Sequence, residues 1–300
     1  MPNLIVYDRR QFLRIAAGFA PAVAITLPGA SSLPENPLTV RSKDGTRIAI
    51  VYQGSGPALL LVHGGMGDHT RWKRVLPPLS AHFRVCAMDR RGHGKSVDSQ
   101  RYSLEREFED VAAVADSLNP PVSVIGHSLG AICAAEAALR TQNIDQLVLY
   151  EPPFPVGGSV TDLTVLSGFE DLVRRGQKDA ALEMFLRHIV KLSETRIAAA
   201  RKNPSWTARA RTVDVQVREI RALNAYEFVP AKFGKLTIPT LLVMGSQTAG
   251  HHRAAIEALG HALPNSKLSV LQGQEHDAIE AAPELFTNAV LEFLKSRPAS

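Results

Sequence analysis

Residues 122–133 decide the fold of this chain, and their sequence is Val-Ser-Val-Ile-Gly-His-Ser-Leu-Gly-Ala-Ile-Cys. The first four are mainly apolar and β-branched, which is typical of a buried strand. Small and helix-forming residues continue to Leu139, which favours a helix. Gly-His-Ser-Leu-Gly lies between them, so the pattern predicts a strand, a sharp turn and a helix, with Ser128 at the apex.

The pentapeptide Gly126–Gly130 fits the G-x-S-x-G pattern, in which a strained turn holds a serine hydroxyl above the end of a sheet. Strand and helix approach closely on either side of that serine, so only small residues such as Gly126 and Gly130 fit there. The helix would direct free N–H groups at the reacting centre. The pattern also occurs by chance in loops, but its flanking strand and helix favour Ser128 as a nucleophile. We expect His127 to be a positioning residue.

A second glycine-rich segment follows the apolar run Ala58–Val62, which predicts a strand buried on both faces. The run ends in His-Gly-Gly-Met at residues 63–66. An acyl-transfer oxyanion needs preorganised N–H donors, and glycine lets the backbone approach it closely. We expect the backbone N–H groups of Gly65 and Leu129 to be these donors and Met66 to line the pocket. The alternative is that the glycines form only a turn.

The composition is ordinary for a soluble enzyme. The chain has 300 residues, 45% of them hydrophobic, which suits one domain with an insertion or two domains. The net charge is +5 without a basic block interleaved with aromatic residues, so nucleic acid binding is disfavoured. Cys86 and Cys133 predict small buried side chains rather than a disulfide framework. The sequence shows no metal-ligand cluster and no nucleotide fingerprint, so we expect no metal and no cofactor.

The N-terminus resembles a bacterial twin-arginine export signal, with Arg9 and Arg10 followed by a mild apolar segment at Ile15–Leu27. That segment is shorter than the roughly twenty apolar residues that span a bilayer. We expect residues 1–31 to be an export signal peptide, and the mature protein to be periplasmic or secreted without stable membrane insertion. The alternative is an ordinary basic helix on a cytoplasmic protein.

Three motifs together resemble the α/β-hydrolase fold: His-Gly-Gly, Asp-Arg-Arg-Gly-His-Gly-Lys-Ser at 89–96, and Gly-His-Ser-Leu-Gly. The resemblance covers roughly residues 38–296. It implies an α/β architecture with a mostly parallel eight-stranded sheet, flanking helices and an inserted helical lid. The expected segments are a first half of the core domain at 32–151, the lid at 152–235 and a second half at 236–300. We expect residues 89–96 to form a scaffold turn rather than a catalytic loop.

The same resemblance implies a general base after the last strand. Residues 266–271 predict that strand, and His276 lies in the loop that follows. A serine hydroxyl needs such a base to become a good nucleophile. His251 and His252 open a predicted helix and are less well placed.

The resemblance also implies a third catalytic group, an acid that orients the histidine, and here this sequence departs from the usual family pattern. The acid commonly follows the strand before last, but residues 245–250, which occupy that place, contain no carboxylate. Some relatives take the acid from the end of the preceding strand, where Glu151 stands. A carboxylate there would orient the imidazole and offset its charge. Asp277, Glu275 and a Ser–His dyad with Gln247 stay open as alternatives.

The sequence of the expected lid predicts four helical segments, at 163–175, 179–191, 195–202 and 207–226. Phe154, Trp206 and Phe228 are candidate pocket walls or buried lid residues. The lid arginines predict a solvated face, with contact to an acidic substrate as the alternative; among them are Arg174, Arg187, Arg201 and Arg218.

These observations indicate a serine hydrolase that cleaves a small ester, lactone or related acyl compound through an acyl-enzyme. A serine nucleophile disfavours an aspartate-dependent dehalogenase or epoxide hydrolase. Two alternatives remain on the same fold: a cofactor-free haloperoxidase or perhydrolase, and a non-catalytic receptor for a small molecule.

Overall fold

A computed structural model describes residues 6–7 and 38–296. The nine strands of its sheet are β1 (Val6–Tyr7), β2 (Leu38–Arg41), β3 (Arg47–Gln53), β4 (Ala58–Val62), β5 (Arg84–Met88), β6 (Val122–His127), β7 (Ile144–Tyr150), β8 (Thr240–Gly245) and β9 (Ser266–Leu271). They are arranged in the order β1-β9-β8-β7-β6-β4-β5-β3-β2. The strands from β9 to β5 in that order are parallel, and β1, β2 and β3 pair antiparallel with their neighbours.

The described α-helices are α1 (Leu76–Ser80), α2 (Leu104–Ser117), α3 (Leu129–Ala138), α4 (Leu163–Arg174), α5 (Lys178–Met184), α6 (Glu194–Lys202), α7 (Trp206–Ala210), α8 (Val213–Asn224), α9 (Gly250–Ala262), α10 (Ala278–Ala281) and α11 (Pro283–Lys295). Short 3₁₀ helices occupy His69–Trp72 and Pro230–Lys235, and a π-helical turn occupies Phe185–Val190.

The expected mostly parallel sheet flanked by helices is confirmed. The described sheet has one strand more than the eight predicted, because the two-residue strand β1 pairs with Leu268 and Ser269 at its edge. The rest of the predicted signal peptide lies outside the described residues. None of the helices at 38–296 is long and apolar enough to cross a membrane.

The register of the central strands brings the chemical segments together. All residues of β4, β6 and β8 are buried, as expected for strands covered on both faces. In parallel register, Val62 of β4 pairs with Gly126 of β6, and His127 pairs with Tyr150 of β7. The segments that follow these strands therefore meet at the carboxyl edge of the sheet, where ligands bind in open α/β sheets.

Helices cover both faces of the sheet. One apolar cluster joins the sheet to α2, α3 and α9, and a second joins its other face to α1 and α11. Cys86 and Cys133 are free and buried, in agreement with the small apolar role expected of them.

Helices α4 to α8 lie between β7 and β8 in the chain and bury a small apolar core of their own. The sequence predicted one helix over 207–226, and this was wrong: α7 and α8 are separated at Arg211 and Thr212. The break lets both helices contribute to the lid core, through Trp206 and Ala210 from α7 and Val213 and Ile220 from α8.

A buried ionic network fastens helix α8 to the core domain. Arg90 donates two hydrogen bonds to Glu107 of α2, at 2.8 and 2.6 Å, and a third to Glu219 Oε1 of α8 at 2.6 Å. His93 Nε2 lies 2.7 Å from the same Glu219 oxygen. Burial would raise the pKa of Glu219, but the charges of Arg90 and His93 lower it to about 2. The turn at 89–96 thus holds the lid in place.

Candidate active site

Ser128 occupies the turn between β6 and α3 in a strained backbone conformation, with φ 55° and ψ −128°. Its N–H donates to the carbonyl oxygen of Tyr150 at 2.9 Å, which fixes the turn against the end of β7. A β-carbon on Gly126 would come 2.5 Å from Ala131 Cα, and one on Gly130 would come 2.3 Å from a backbone oxygen of the β4 loop. Glycine is therefore required at both positions, as the sequence predicted.

His276 and Glu151 are joined directly. His276 Nδ1 lies 2.6 Å from Glu151 Oε2, and Glu151 Oε1 accepts the backbone N–H of Gly245 at 2.7 Å. Glu151 follows β7, is fully buried and has a positive φ of 45°. Because a carboxylate can only accept, Nδ1 carries the proton of a neutral ring and Nε2 keeps its lone pair.

Burial controls the ionisation of this pair. It lowers the pKa of His276 well below 6.5, and the charges of Arg71, His251 and Arg209 act in the same direction. The imidazole is therefore neutral at neutral pH and can accept a proton. Burial raises the pKa of Glu151, while His252 and the N–H of Gly245 act against that rise.

The other acids considered for this role are engaged elsewhere. Glu275 accepts hydrogen bonds from the backbone N–H and the hydroxyl of Ser193, at 2.9 and 2.6 Å. Asp277 Oδ1 lies 3.6 Å from Arg196 Nε. Gln247 is exposed. Of the four alternatives, only Glu151 is hydrogen-bonded to the imidazole among the described residues.

The loop that carries His276 is fastened to the ends of β6 and β7. The Tyr150 hydroxyl donates to the carbonyl of Glu275 at 2.6 Å and accepts from the N–H of Ala278 at 3.0 Å. His127 Nε2 lies 3.0 Å from the carbonyl oxygen of His276. His127 therefore acts on the loop rather than on the serine, which agrees with the positioning role expected for it.

Helix α9 adds an imidazole that the sequence analysis set aside. The ring of His252 stacks on that of His276, with centroids 4.2 Å apart and 9° between the planes. His252 Nδ1 lies 3.8 Å from Glu151 Oε2. Burial lowers the pKa of His252 well below its ordinary value, so this ring is neutral too. Its position at the start of a helix gave no local signal, because only the packing of α9 brings it to His276.

The glycine loop after β4 lies against the nucleophile. A β-carbon on Gly64 would come 2.8 Å from Ser128 Cβ, so this segment runs directly beside the serine. A β-carbon on Gly65 would come 2.4 Å from Oε1 of Gln216, a buried side chain of α8. His63 accepts the backbone N–H of Arg90 at 2.9 Å through Nε2 and thereby supports the loop. Leu129, the second predicted donor, is the first residue of α3, where backbone N–H groups lack partners within the helix.

Between residues 38 and 296, two groups of side chains have donor atoms within 4.8 Å of one another and so could hold a metal ion: Glu151, His252 and His276, and Asp68, His69 and Asp89. In both groups the donors already bind each other, since His276 contacts Glu151 at 2.6 Å and His69 contacts Asp89 at 2.8 Å. A metal ion at either place would have to displace an existing hydrogen bond.

A cavity of about 320 Å³ lies between this edge of the sheet and the lid. Ser128, His276, Gly65 and Met66 line it from the core side. The volume is at the lower end of the range for small-molecule sites, which is roughly 300–1,000 Å³. The nucleophile candidate and the histidine thus line the same small cavity.

Three of the predicted pocket walls require correction, because Phe154, Trp206 and Phe228 do not line this cavity. The rings of Phe154 and Phe228 stack on each other at 4.4 Å and pack against the core cluster of α2 and α3. Trp206 is buried in the lid core, and its indole N–H donates to Asp179 at 2.7 Å. The lid turns these rings towards its own interior and towards the core domain.

Four arginines line the same cavity: Arg71, Arg74, Arg196 and Arg209. The lid arginines that the sequence analysis named lie outside it and pair with acids of the protein, as Arg187 does with Glu183 and Glu194. No motif distinguishes the lid arginines Arg196 and Arg209 from those that lie outside the cavity, because the face that each lid helix turns inwards depends on tertiary packing.

Comparisons with known proteins agree with this fold. A family model described as "Alpha/beta hydrolase family" matches residues 59–289. "Putative carbamate hydrolase RutD" of Agrobacterium fabrum is 27% identical over 248 residues, covering 79% of this chain and 93% of that protein.

Solved structures are similar over most of the chain. An alpha/beta hydrolase from Sphaerobacter thermophilus is 29% identical, with a TM-score of 0.75 over 86% of this chain and 100% of the other. An esterase from a Rhodococcus species is 25% identical, with a TM-score of 0.72 over 87% of this chain and 98% of the other.

Proposed function

The chain belongs to the alpha/beta hydrolase family and is an enzyme of that family, and from this premise we propose that it cleaves a small ester, lactone or related acyl compound through an acyl-enzyme. The observation that carries the proposal is the 2.6 Å contact between His276 and Glu151, beside the cavity that Ser128 also lines. Nucleophile, base and orienting acid are the three parts that acyl transfer to serine requires.

The first half of the reaction forms the acyl-enzyme. Ser128 Oγ attacks the substrate carbonyl carbon while its proton moves to His276 Nε2, and Glu151 stabilises the resulting imidazolium. The carbonyl oxygen becomes an oxyanion, and the N–H groups of Gly65 and Leu129 hold it. The bond from carbon to the leaving group then breaks, and His276 returns its proton to the leaving alcohol.

The second half releases the acid. A water molecule gives its proton to His276 Nε2 as its oxygen attacks the acyl carbon. The bond to Ser128 Oγ breaks, and the serine recovers its proton from the imidazolium. Each proton that His276 takes is returned within the same half-reaction, which a neutral resting ring permits.

The relatives support the choice of an acyl substrate. One carries the name carbamate hydrolase and another the name esterase, and both names denote cleavage next to a carbonyl carbon. The small volume of the cavity favours a short substrate over a long-chain lipid.

Fluorophosphonate labelling tests the nucleophile. We expect the wild type to be labelled on Ser128 and the Ser128→Ala variant to be unlabelled and inactive on short acyl esters. Ser205 lines the same cavity and provides the matched control, since Ser205→Ala should keep its label. Labelling that survives Ser128→Ala would reject the assignment.

A panel of short- to long-chain acyl esters tests the reaction class. Repeated turnover distinguishes a hydrolase from a small-molecule receptor, which would show ligand-induced stabilisation without turnover. Peroxide-dependent halogenation without ester cleavage would instead indicate the perhydrolase alternative.

We also propose export, on the strength of Arg9 and Arg10 ahead of the apolar segment. Residues 1–31 fused to a folded reporter should direct it out of the cytoplasm. Lys-Lys in place of the two arginines should retain it. Equal retention of both fusions would contradict export.

A further inference from the structure

Arg209 differs from the other arginines that line the cavity. Arg71 lies 3.3 Å from Glu280, and Arg74 donates to the carbonyl oxygen of Glu280. Arg196 donates to Gln274 at 3.0 Å and lies 3.6 Å from Asp277. Among the described residues, no carboxylate oxygen lies within 4.0 Å of the Arg209 guanidinium, which is the limit for an ion pair. No described side chain accepts a hydrogen bond from this guanidinium either.

The neighbouring acids are already committed to other donors. Glu280 forms an ion pair with Arg71 and accepts a hydrogen bond from the side-chain amide of Asn203 at 3.1 Å. Asp277 faces Arg196. Neither carboxylate is placed to form an ion pair with Arg209, which leaves a cation on the lid side of the cavity without a matching anion.

The ionisation of Arg209 agrees with this imbalance. Burial lowers the pKa of its guanidinium to about 10, and the positive charge of Arg71 acts in the same direction. The opposing influence of Glu280 and Asp277 does not offset these two effects. A guanidinium is well protonated near pH 7 even so, and its five N–H donors match a carboxylate in geometry.

We propose that Arg209 binds a carboxylate of the substrate, so that the natural substrate is a small acyl compound with an anionic group at a second position. The inference rests on the proposed serine hydrolase activity and narrows its substrate class. Ser128 and Arg209 line the same cavity, so the scissile carbonyl and the carboxylate would occupy one small space. A bound carboxylate would give the Arg209 guanidinium the ion-pair partner that the described residues do not supply.

Matched pairs of esters test the proposal. Monomethyl glutarate against dimethyl glutarate puts the carboxylate on the acyl side, and 4-acetoxybenzoate against 4-acetoxybenzamide puts it on the alcohol side. The measured quantity is the ratio of kcat/KM for the charged ester to that for its neutral partner. We expect one of these ratios to fall roughly ten- to hundredfold in Arg209→Gln, as loss of a charged hydrogen bond would give, and to recover in part in Arg209→Lys.

Arg211 provides the matched control. It follows α7 two residues after Arg209, carries the same charge and is exposed. Arg211→Gln should keep the wild-type ratio and the wild-type activity. Equal ratios in wild type and Arg209→Gln, with all variants folded by circular dichroism, would overturn the subsite while leaving the hydrolase proposal intact.

A binding measurement separates the two proposals. Calorimetry with monomethyl glutarate and 4-acetoxybenzoate on Ser128→Ala, with and without Arg209→Gln, does not depend on turnover. Binding that Arg209→Gln abolishes supports the subsite even if the wild type hydrolyses no ester, in which case the hydrolase proposal alone fails. Binding that is absent from Ser128→Ala, or equal in both variants, rejects the subsite.

Discussion

His252 lies flat on His276, with ring centroids 4.2 Å apart and the ring planes within 9° of parallel. The contact restricts the general-base candidate on one face, while Glu151 fixes it through Nδ1. Such restraint affects catalysis because misplacement of a reacting group by about 1 Å can lower the rate sharply.

We expect His252→Ala to lower kcat on the order of tenfold with little change in KM, because the imidazole of His276 would lose its support. His252→Phe keeps a flat ring and should retain more of kcat. Steady-state kinetics on a short neutral ester measure both effects. His261→Ala, at the exposed end of the same helix, is the control, and an identical loss there would remove the case for stacking.

Glu151 should be the acid on which activity depends. Replacing it by glutamine keeps the shape but loses the charge that stabilises the imidazolium, so we expect kcat to fall by about 10²–10⁴. Asp277→Asn and Glu275→Gln should lower kcat far less, because neither carboxylate is hydrogen-bonded to His276. The three variants compared on one ester decide the matter, and wild-type activity in Glu151→Gln would disprove the assignment.

The pH dependence of activity follows from the lowered pKa of His276. The base is active only when neutral, and its protonated fraction decreases as pH rises through its pKa. Since that pKa lies well below 6.5, kcat/KM for a neutral ester should already be at its plateau at pH 6.5 and should decline only in more acidic solution. A pH profile on short acyl esters tests this, after stability at each pH has been checked. A half-maximal point above 6.5 would contradict it.

The buried contact of Arg90 with Glu219 should dominate the stability of the lid attachment. Glu219→Gln leaves the buried guanidinium with Glu107 as its remaining carboxylate partner, so we expect the free energy of unfolding to fall on the order of 3 kcal/mol. Arg221 lies on the same helix as Glu219, and Arg221→Gln breaks its exposed ion pair with Glu170 of α4, which should cost below about 1 kcal/mol. Urea denaturation of both variants measures the difference. Equal losses would mean that burial of the network is not what stabilises it.

The local sequence pattern and the order of the strands were sufficient to predict part of the candidate site. Ser128 sits in a motif whose turn geometry is set by its own glycines, so the sequence determines its position. His276 and Glu151 follow predicted strands, and parallel strands bring their carboxyl ends to one edge of the sheet. Their meeting could therefore be predicted without any knowledge of the lid.

The remaining parts depend on how the lid packs. Arg187 and Arg209 are both lid arginines flanked by ordinary helix-forming residues, yet only Arg209 lines the cavity. The sequence suggests Trp206 as a pocket wall. It begins the short helix α7, which ends before Arg211, and the packing of this helix buries Trp206 in the lid core. His252 is recognisable only when α9 has been placed against the loop of His276.

Helix α8 contacts the core domain at two places one turn apart, through Gln216 beside Gly65 and through Glu219 on Arg90. An engineer who transplants a foreign lid onto this scaffold to alter selectivity would therefore also change the contact beside Gly65 and leave the buried Arg90 guanidinium without Glu219. Such a chimaera should keep a glutamine and a glutamate at the positions of Gln216 and Glu219 in the grafted helix.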